Sequence, residues 1–434
     1  MIAPATAGEG HDYPARMRRP RWIWVSVLAA VVLVAGAGAA WWAVHRQTPD
    51  VHHGADLPFT LTSTAPPTTS TGGSPKHTKW GPPWPVYGRT LARTRDASDL
   101  VGVVPPYHQA WAKSSGFLEY PPSYARGVLY ATTNTGTAWA RDAFTGKLLW
   151  RRDIGSEIRA EPTVAGKRVY FGAYDGNVYA LRAGTGTSVW TRHLGGLIES
   201  PPAINHGRLY LGDLSGHMRA LDAATGRVLW TITTSGDVKH GPALVDGRLY
   251  FGDYAGVMYC VRASDGHVLW RTSTHGLSSG FRSGSFYSTP AVAYGRVYIG
   301  NTDHKVYAFE ASDGQVAWTH TMPDWAYGSP AVSGGRVFTT SWDGTFVALS
   351  ARTGTLLWDH KLPYNTISSP TVIGPNVYVA DRGAGRHGNL YAYRVGDGRR
   401  IWHFPDGRFS TVVVGAGRLF VSGASREYAL QPQG

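Results

Sequence analysis

Tryptophan recurs along this chain at 111, 150, 190, 230, 270, 318, 358 and 402, at intervals of 39, 40, 40, 40, 48, 40 and 44 residues. A period near forty confines the fold to an array of one small unit. Ten residues before each of the last seven tryptophans stands a small side chain, Ala140, Ala180, Ala220, Cys260, Ala308, Ala348 or Ala392, and four residues before it a glycine. Within one period, 199–230, three glycine-containing turns separate short apolar or alternating runs near 202–205, 208–213, 217–222 and 227–233. That pattern is a four-stranded meander. So small a sheet cannot bury both faces alone. Its copies must stack, around an axis as a propeller or in a line as a solenoid.

The ends of the array favour the ring. The last unit reaches its small residue at Ala429 and stops before a tryptophan strand, whereas Trp111, in YHQAWAKS, has the outer-strand pattern with no three strands before it. Eight blades closed by residues 107–113 beside 409–431 account for both, and closure removes exposed sheet edges. The expectation is an all-β, eight-bladed β-propeller over 105–434. The 54 glycines and 23 tyrosines suit its turns and pleated surfaces.

Residues 22–44, WIWVSVLAAVVLVAGAGAAWWAV, carry no charge. As a helix they reach about 34 Å, enough for a hydrocarbon core of about 30 Å. Trp22, Trp24, Trp41 and Trp42 stand where interfacial indoles are favoured, and Arg16, Arg18, Arg19 and Arg21 flank only the first end. The expectation is a transmembrane signal-anchor helix in the plasma membrane, with residues 1–21 a cytoplasmic basic tail and the propeller extracytoplasmic. A secretory signal cleaved near Ala37-Gly38-Ala39 is the alternative, against which the apolar stretch is long. Residues 45–79, containing TSTAPPTTSTGGSP, have too few large apolar side chains for a core and read as a flexible linker, followed by a leader over 80–104. His52 and His53 within the linker lack the further ligands of a metal site.

Ala140-x-Asp142-x-x-Thr145-Gly146-Lys147-x-x-Trp150 and Ala220-x-Asp222-x-x-Thr225-Gly226-x-x-x-Trp230 resemble the tryptophan-docking motif of the PQQ-like β-propeller family, which includes quinoprotein alcohol dehydrogenases and the assembly scaffold BamB. The resemblance covers about 80–434, and Trp84-Pro85-x-Tyr87-Gly88 with Arg93-Thr94 is similar to the lead-in of many members. It implies that Trp111, Trp150, Trp190, Trp230, Trp270, Trp318, Trp358 and Trp402 dock blade on blade, with the alanine giving room and Thr-Gly turning the chain. The aspartate slot departs from the motif at Arg182, Arg262, Glu310, Ser350 and Arg394.

The family's dehydrogenases hold a vicinal disulfide beside their quinone, a calcium or lanthanide site of Glu, Asn and Asp, and a catalytic Asp. Cys260 is the only cysteine here, so that disulfide cannot form, and a lipoprotein anchor is excluded too. No cofactor, metal ligand or catalytic residue is assigned, and the chain is read with the non-catalytic BamB-like branch. Gly276-Leu277-Ser278-Ser279-Gly280 matches a nucleophile-elbow pattern outside the strand-to-helix context that gives it meaning. Asp175, Asp303 and Asp343 share one turn position, where turn chemistry explains them.

Residues three before the repeated proline, or the equivalent slot, are Glu119, Arg159, Glu199, Lys239, Tyr287, Tyr327, Ile367 and Phe409. They belong where each innermost strand begins, giving a funnel mouth charged on one half and aromatic or apolar on the other. Either neighbouring charges pair to close the channel or the mouth takes a ligand. The two longer periods insert 274–288 and 380–389, whose Arg282, Arg382, Arg386 and His387 are candidate contacts. Trp325 and Trp342 lie on loops and are unclaimed by docking. The formal charge of +13 suits an anionic partner. The expected function is a membrane-tethered, non-enzymatic binding or scaffold propeller for a protein or an anionic cell-envelope polymer. Nucleic acid is not expected, given export and no motif for it, and a PQQ-dependent oxidoreductase is the alternative.

Overall fold

Each forty-residue unit folds as one antiparallel sheet. In the first, Ser123–Ala125, Val128–Thr132, Thr137–Asp142 and Leu148–Asp153 follow one another from the axis outward. The same meander repeats over 163–193, 203–233, 243–273, 291–321, 331–361 and 371–404, and an eighth sheet joins Val413–Gly415, Arg418–Ser422 and Arg426–Pro432 to Tyr107–Ser114. The computed structural model describes residues 49–53, 59, 83–118, 120–274, 284–384, 387–407, 412–423 and 425–433. They form an eight-bladed β-propeller of four-stranded blades. Among them no helix is long and apolar enough to cross a membrane. The expected anchor at 22–44 lies outside the described residues.

The final blade takes its outer strand from the other end of the chain. Tyr107↔Pro432 through Ser114↔Arg426 pair antiparallel, so Trp111 stands opposite Ala429 as Trp150 stands opposite Ala140. Indoles then bind the next blade. Nε1 of Trp111, Trp150, Trp190 and Trp230 donates to the carbonyl oxygens of Ala143, Ala183, Ala223 and Ala263 at 2.7–3.1 Å, and Trp270, Trp318 and Trp358 continue the series to Ala311, Ala351 and Val395. Trp402 packs against Phe404 and Tyr107. An indole buries on the order of 200 Å², roughly 5 kcal/mol before entropy is counted.

One sequence expectation about this motif is corrected. The motif glycine does not aim its own blade's tryptophan; it lies under the indole of the preceding blade. A Cβ on Gly186, at φ +69°, would come within 2.6 Å of Trp150. Positive φ and the indole both demand glycine there. The aspartate slot behaves as a turn: Asp142 and Asp222 each accept from the backbone N and hydroxyl of the threonine three residues on, all at 2.8 Å.

The leader runs inside the ring. Trp84 and Tyr124 exchange backbone hydrogen bonds. The carbonyls of Pro85, Leu91, Ala92, Thr94 and Arg95 then accept from Val164, Leu244, Val292, Val332 and Val372, two residues past the repeated proline in blades 2, 4, 5, 6 and 7. Asp96–Ala97 ends the path as a short parallel strand on blade 7. This layer is the floor of the channel. It positions Tyr87, Arg93 and Arg95 on the inside, with both arginine side chains fully buried.

The linker expected over 45–79 is not wholly extended tether. Val51 and Thr319 exchange hydrogen bonds along the outer strand of blade 5, and the Asp50 carboxylate accepts from Thr319 Oγ1, Thr321 N and Thr321 Oγ1. Phe59 packs on Tyr294 at 5.4 Å. Composition misses this contact because a strand added to a sheet edge is held by main-chain bonds and one carboxylate rather than by an apolar stripe.

Candidate binding site at the channel mouth

Arg159, Lys239, Tyr287, Tyr327 and Ile367, all from the ring three residues before the proline, line one cavity of about 250 Å³. Trp342 and Arg382 join them at the rim, and Tyr87, Ser329 and Ser369 from below. Glu199 is drawn in through Lys239, whose Nζ stands 2.8 Å from its carboxylate and donates to Tyr287 Oη at 2.5 Å. Glu119 and Phe409, the same slot in blades 1 and 8, lie outside the described residues, as do Arg282 and Arg386. His387 is set apart, exposed beside Asp406 at 3.3 Å.

A second register completes the wall. The first residue of the turn between strands two and three recurs at 174, 214, 254, 302, 342 and 382, and its backbone N donates to the carbonyl two residues before the mouth ring of its own blade: Tyr254 to Asp237, Trp342 to Trp325, Arg382 to Asn365. This bond folds the turn over the start of the innermost strand. Aromatic rings accordingly meet: Tyr254 and Tyr287 at 5.1 Å, Tyr287 and Tyr327 at 4.5 Å, Tyr327 and Trp342 at 5.7 Å, with Trp325 5.9 Å from Tyr327. Cations cap their faces. Arg382 lies 5.2 Å over Trp342, Lys239 4.2 Å over Tyr287, and Arg159 5.2 Å over Tyr174. Sequence reasoning missed Tyr174 and Tyr254, although the forty-residue spacing of their slot was available to find them.

The electrostatics are those of a partly dried basic cleft. Burial opposes the charge on Lys239, but Glu199 and Tyr287 outweigh it and hold the ammonium above its ordinary pKa. His240, also missed from sequence, is driven the other way: burial first, then the Lys239 charge, pull its pKa down to about 3. It is a neutral imidazole near pH 7. Both its ring nitrogens are closed to solvent and lack a hydrogen-bond partner.

The floor is fully committed. Arg93 donates to the carbonyl oxygens of Tyr87, Pro201, Pro202 and Pro242. Arg95 donates to Pro370 O and lies 4.5 Å over the Tyr87 ring. Glu161, wholly buried nearby, is pushed up to about 8 by burial against the pull of Arg95, Ser123 and Arg93. Asp175, Asp303 and Asp343 stay in their turns, each accepting from the backbone N two residues on.

The dehydrogenase arrangement does not fit these residues. Among the described residues no three His, Cys, Asp or Glu side chains stand together as a metal site. Cys260 is buried opposite Trp270 in blade 4. No reaction step is derived through a quinone.

Fold and site together define a β-propeller with a floored channel and a basic, aromatic mouth. The profile of the family described as outer membrane protein assembly factor BamB matches residues 88–237, 175–324 and 255–430, and the chain belongs to that family of PQQ-like propellers. No curated protein matches it in sequence. BamB from Moraxella catarrhalis is similar in structure, with 19% identity over 75% of this chain and 100% of its own and a TM-score of 0.66. Quinohemoprotein alcohol dehydrogenase from Comamonas testosteroni gives 14%, 81%, 82% and 0.67. The computationally designed protein Ika8 gives 16%, 75%, 98% and 0.61. A scaffold, an enzyme and a design share the architecture, so these likenesses establish fold alone.

Proposed function

We propose that this chain is a non-enzymatic binding propeller, tethered to the plasma membrane by residues 22–44 and presenting its channel mouth to an anionic partner in the cell envelope. The observation that carries the reading is the mouth itself. Lys239, Arg159 and Arg382 converge with tyrosine and tryptophan faces on a cavity whose floor is filled by the chain's own leader. Such a site recognises charge and ring surface, and it offers no group positioned for acid, base or nucleophilic work. Membership of a family described by an assembly factor supports a scaffold role. The alternative, a PQQ-dependent oxidoreductase, has the fold in its favour and lacks the family's disulfide and carboxylate set.

The test is retention in intact cells. Full-length protein is crosslinked and its envelope-bound fraction compared with that of Tyr327→Ala combined with Arg382→Gln. Loss of retention in the folded variant supports a mouth-bound partner, and undiminished retention sinks it. Reporter fusions at Gly54 and Gly434 test export, with a cytoplasmic signal overturning the tether. Retained PQQ with calcium-dependent dye reduction would replace the scaffold by the enzyme.

A further inference from the structure

We infer that the mouth is a subsite for an acidic saccharide, a sugar ring bearing a carboxylate or a phosphate. This rests on the binding-propeller reading and names the chemistry it recognises. Three features of the cavity converge on that class.

The wall is aromatic and curved. Tyr287 and Tyr327 are inclined at 59°, Tyr327 and Trp342 at 46°. A flat aromatic anion is best held between two parallel faces; successive tilted faces instead suit a puckered ring that presents C–H groups at several angles. Hydroxyl partners stand beside the wall. Ser329 Oγ accepts from both Tyr87 Oη and Thr289 N, which leaves its own O–H to be donated. His240 is neutral, with one ring donor and one ring acceptor unpartnered, and a polyol or the water it carries supplies both. A simple carboxylate or phosphate would leave these groups unused.

The cations then select the acid. Lys239 Nζ has three donors; one goes to Glu199, one to Tyr287, and the third has no partner among the described residues. Arg382, stacked on Trp342, brings a planar donor edge to the same rim. A neutral sugar would leave this charge unanswered. The cavity, about 250 Å³ and lying at the open end of the channel, accommodates one or two sugar units of a longer polymer.

The experiment is calorimetric titration of the full-length protein in detergent with glucuronate, glucose 1-phosphate, glucose, benzoate and inorganic phosphate. Glucuronate and glucose 1-phosphate separate the carboxylate and phosphate sources. The expected result is binding of at least one sugar acid, with glucose about tenfold weaker or more, and benzoate and phosphate weaker still. Tyr327→Ala should weaken the sugar acid about tenfold. Lys239→Met should bring sugar acid and glucose close together, and Arg382→Gln, at the rim, makes the same test should the buried change disturb folding. Benzoate or glucose binding as well as the sugar acids overturns the inference, as does absence of sugar-acid binding by folded protein. If sugar acids fail while the mouth variant still loses envelope retention, the inference alone falls. If retention is undiminished, the binding-propeller reading falls with it.

Discussion

At the channel floor Arg93 is enclosed on every side and its donors go to four backbone carbonyls; at the mouth Arg382 rests half-exposed on an indole. The two arginines sit in one channel and do opposite work. The difference lies in what saturates them. Carbonyls in fixed positions turn Arg93 into a clamp between the leader and blades 3 and 4, and although burial lowers its pKa to about 10 it stays charged at neutral pH. An aromatic face orients Arg382 while leaving its edge toward the cavity. Burial and partner type, not residue type, decide which cations hold the fold and which are offered outward.

The largest effect should come from breaking the clamp. Arg93→Ala strands four buried carbonyls and is expected to cost about 3–5 kcal/mol, or to prevent folding. Arg382→Ala should stay within about 0.5 kcal/mol. Denaturant unfolding of the two variants checks the contrast, and equal costs would erase it.

Next comes the floor's carboxyl. In the unfolded chain Glu161 ionises near its ordinary 4.5, but in the fold only near 8. Between those values the unfolded state binds fewer protons, so stability falls as pH rises through the window and levels off above it. Glu161→Gln removes that slope. It should match wild type near pH 4 and exceed it by a few kcal/mol at pH 8. Parallel stability curves across the window would show that the floor does not hold the acid neutral.

At the mouth the effects should be smaller in stability and larger in recognition. Tyr327→Ala loses ring contacts on a half-exposed side chain, about 1–2 kcal/mol at most, while its loss of ligand is the readout that matters. The smallest change is spectroscopic. His240 should remain neutral down to about pH 3 and gain protection when the cavity fills. An NMR titration with a midpoint near 6.5 would mean that the imidazole is hydrated and the mouth wetter than described.

Legibility followed periodicity. The blades, the closing strand and the mouth ring could be read because tryptophan, glycine and proline each keep the forty-residue register. Trp342 and Arg382 were noticed as loop residues, yet their meeting with Tyr327 was hidden, since it depends on the turn bond to Trp325 and Asn365 that no pattern announces. The leader was recognised as a lead-in without its path inside the ring. It occurs once, has no period, and is held by backbone bonds that any sequence makes. Pro49–His53 escaped for the same reason. His240 stood in the fold's most regular slot, but its neutrality follows from Lys239 next to it and from burial, which only packing supplies.

Pairing Tyr107–Ser114 with Arg426–Pro432 also orders events in time. The strand made first among those of the propeller must wait for the one made last, more than three hundred residues later, and no earlier segment can substitute for it. Seven blades can stack as they emerge, yet the ring stays open, with two unmatched edges, until synthesis is nearly finished. A ribosome that stalls within the final dozen codons would therefore release a chain with almost every contact of the native protein and none of its closure.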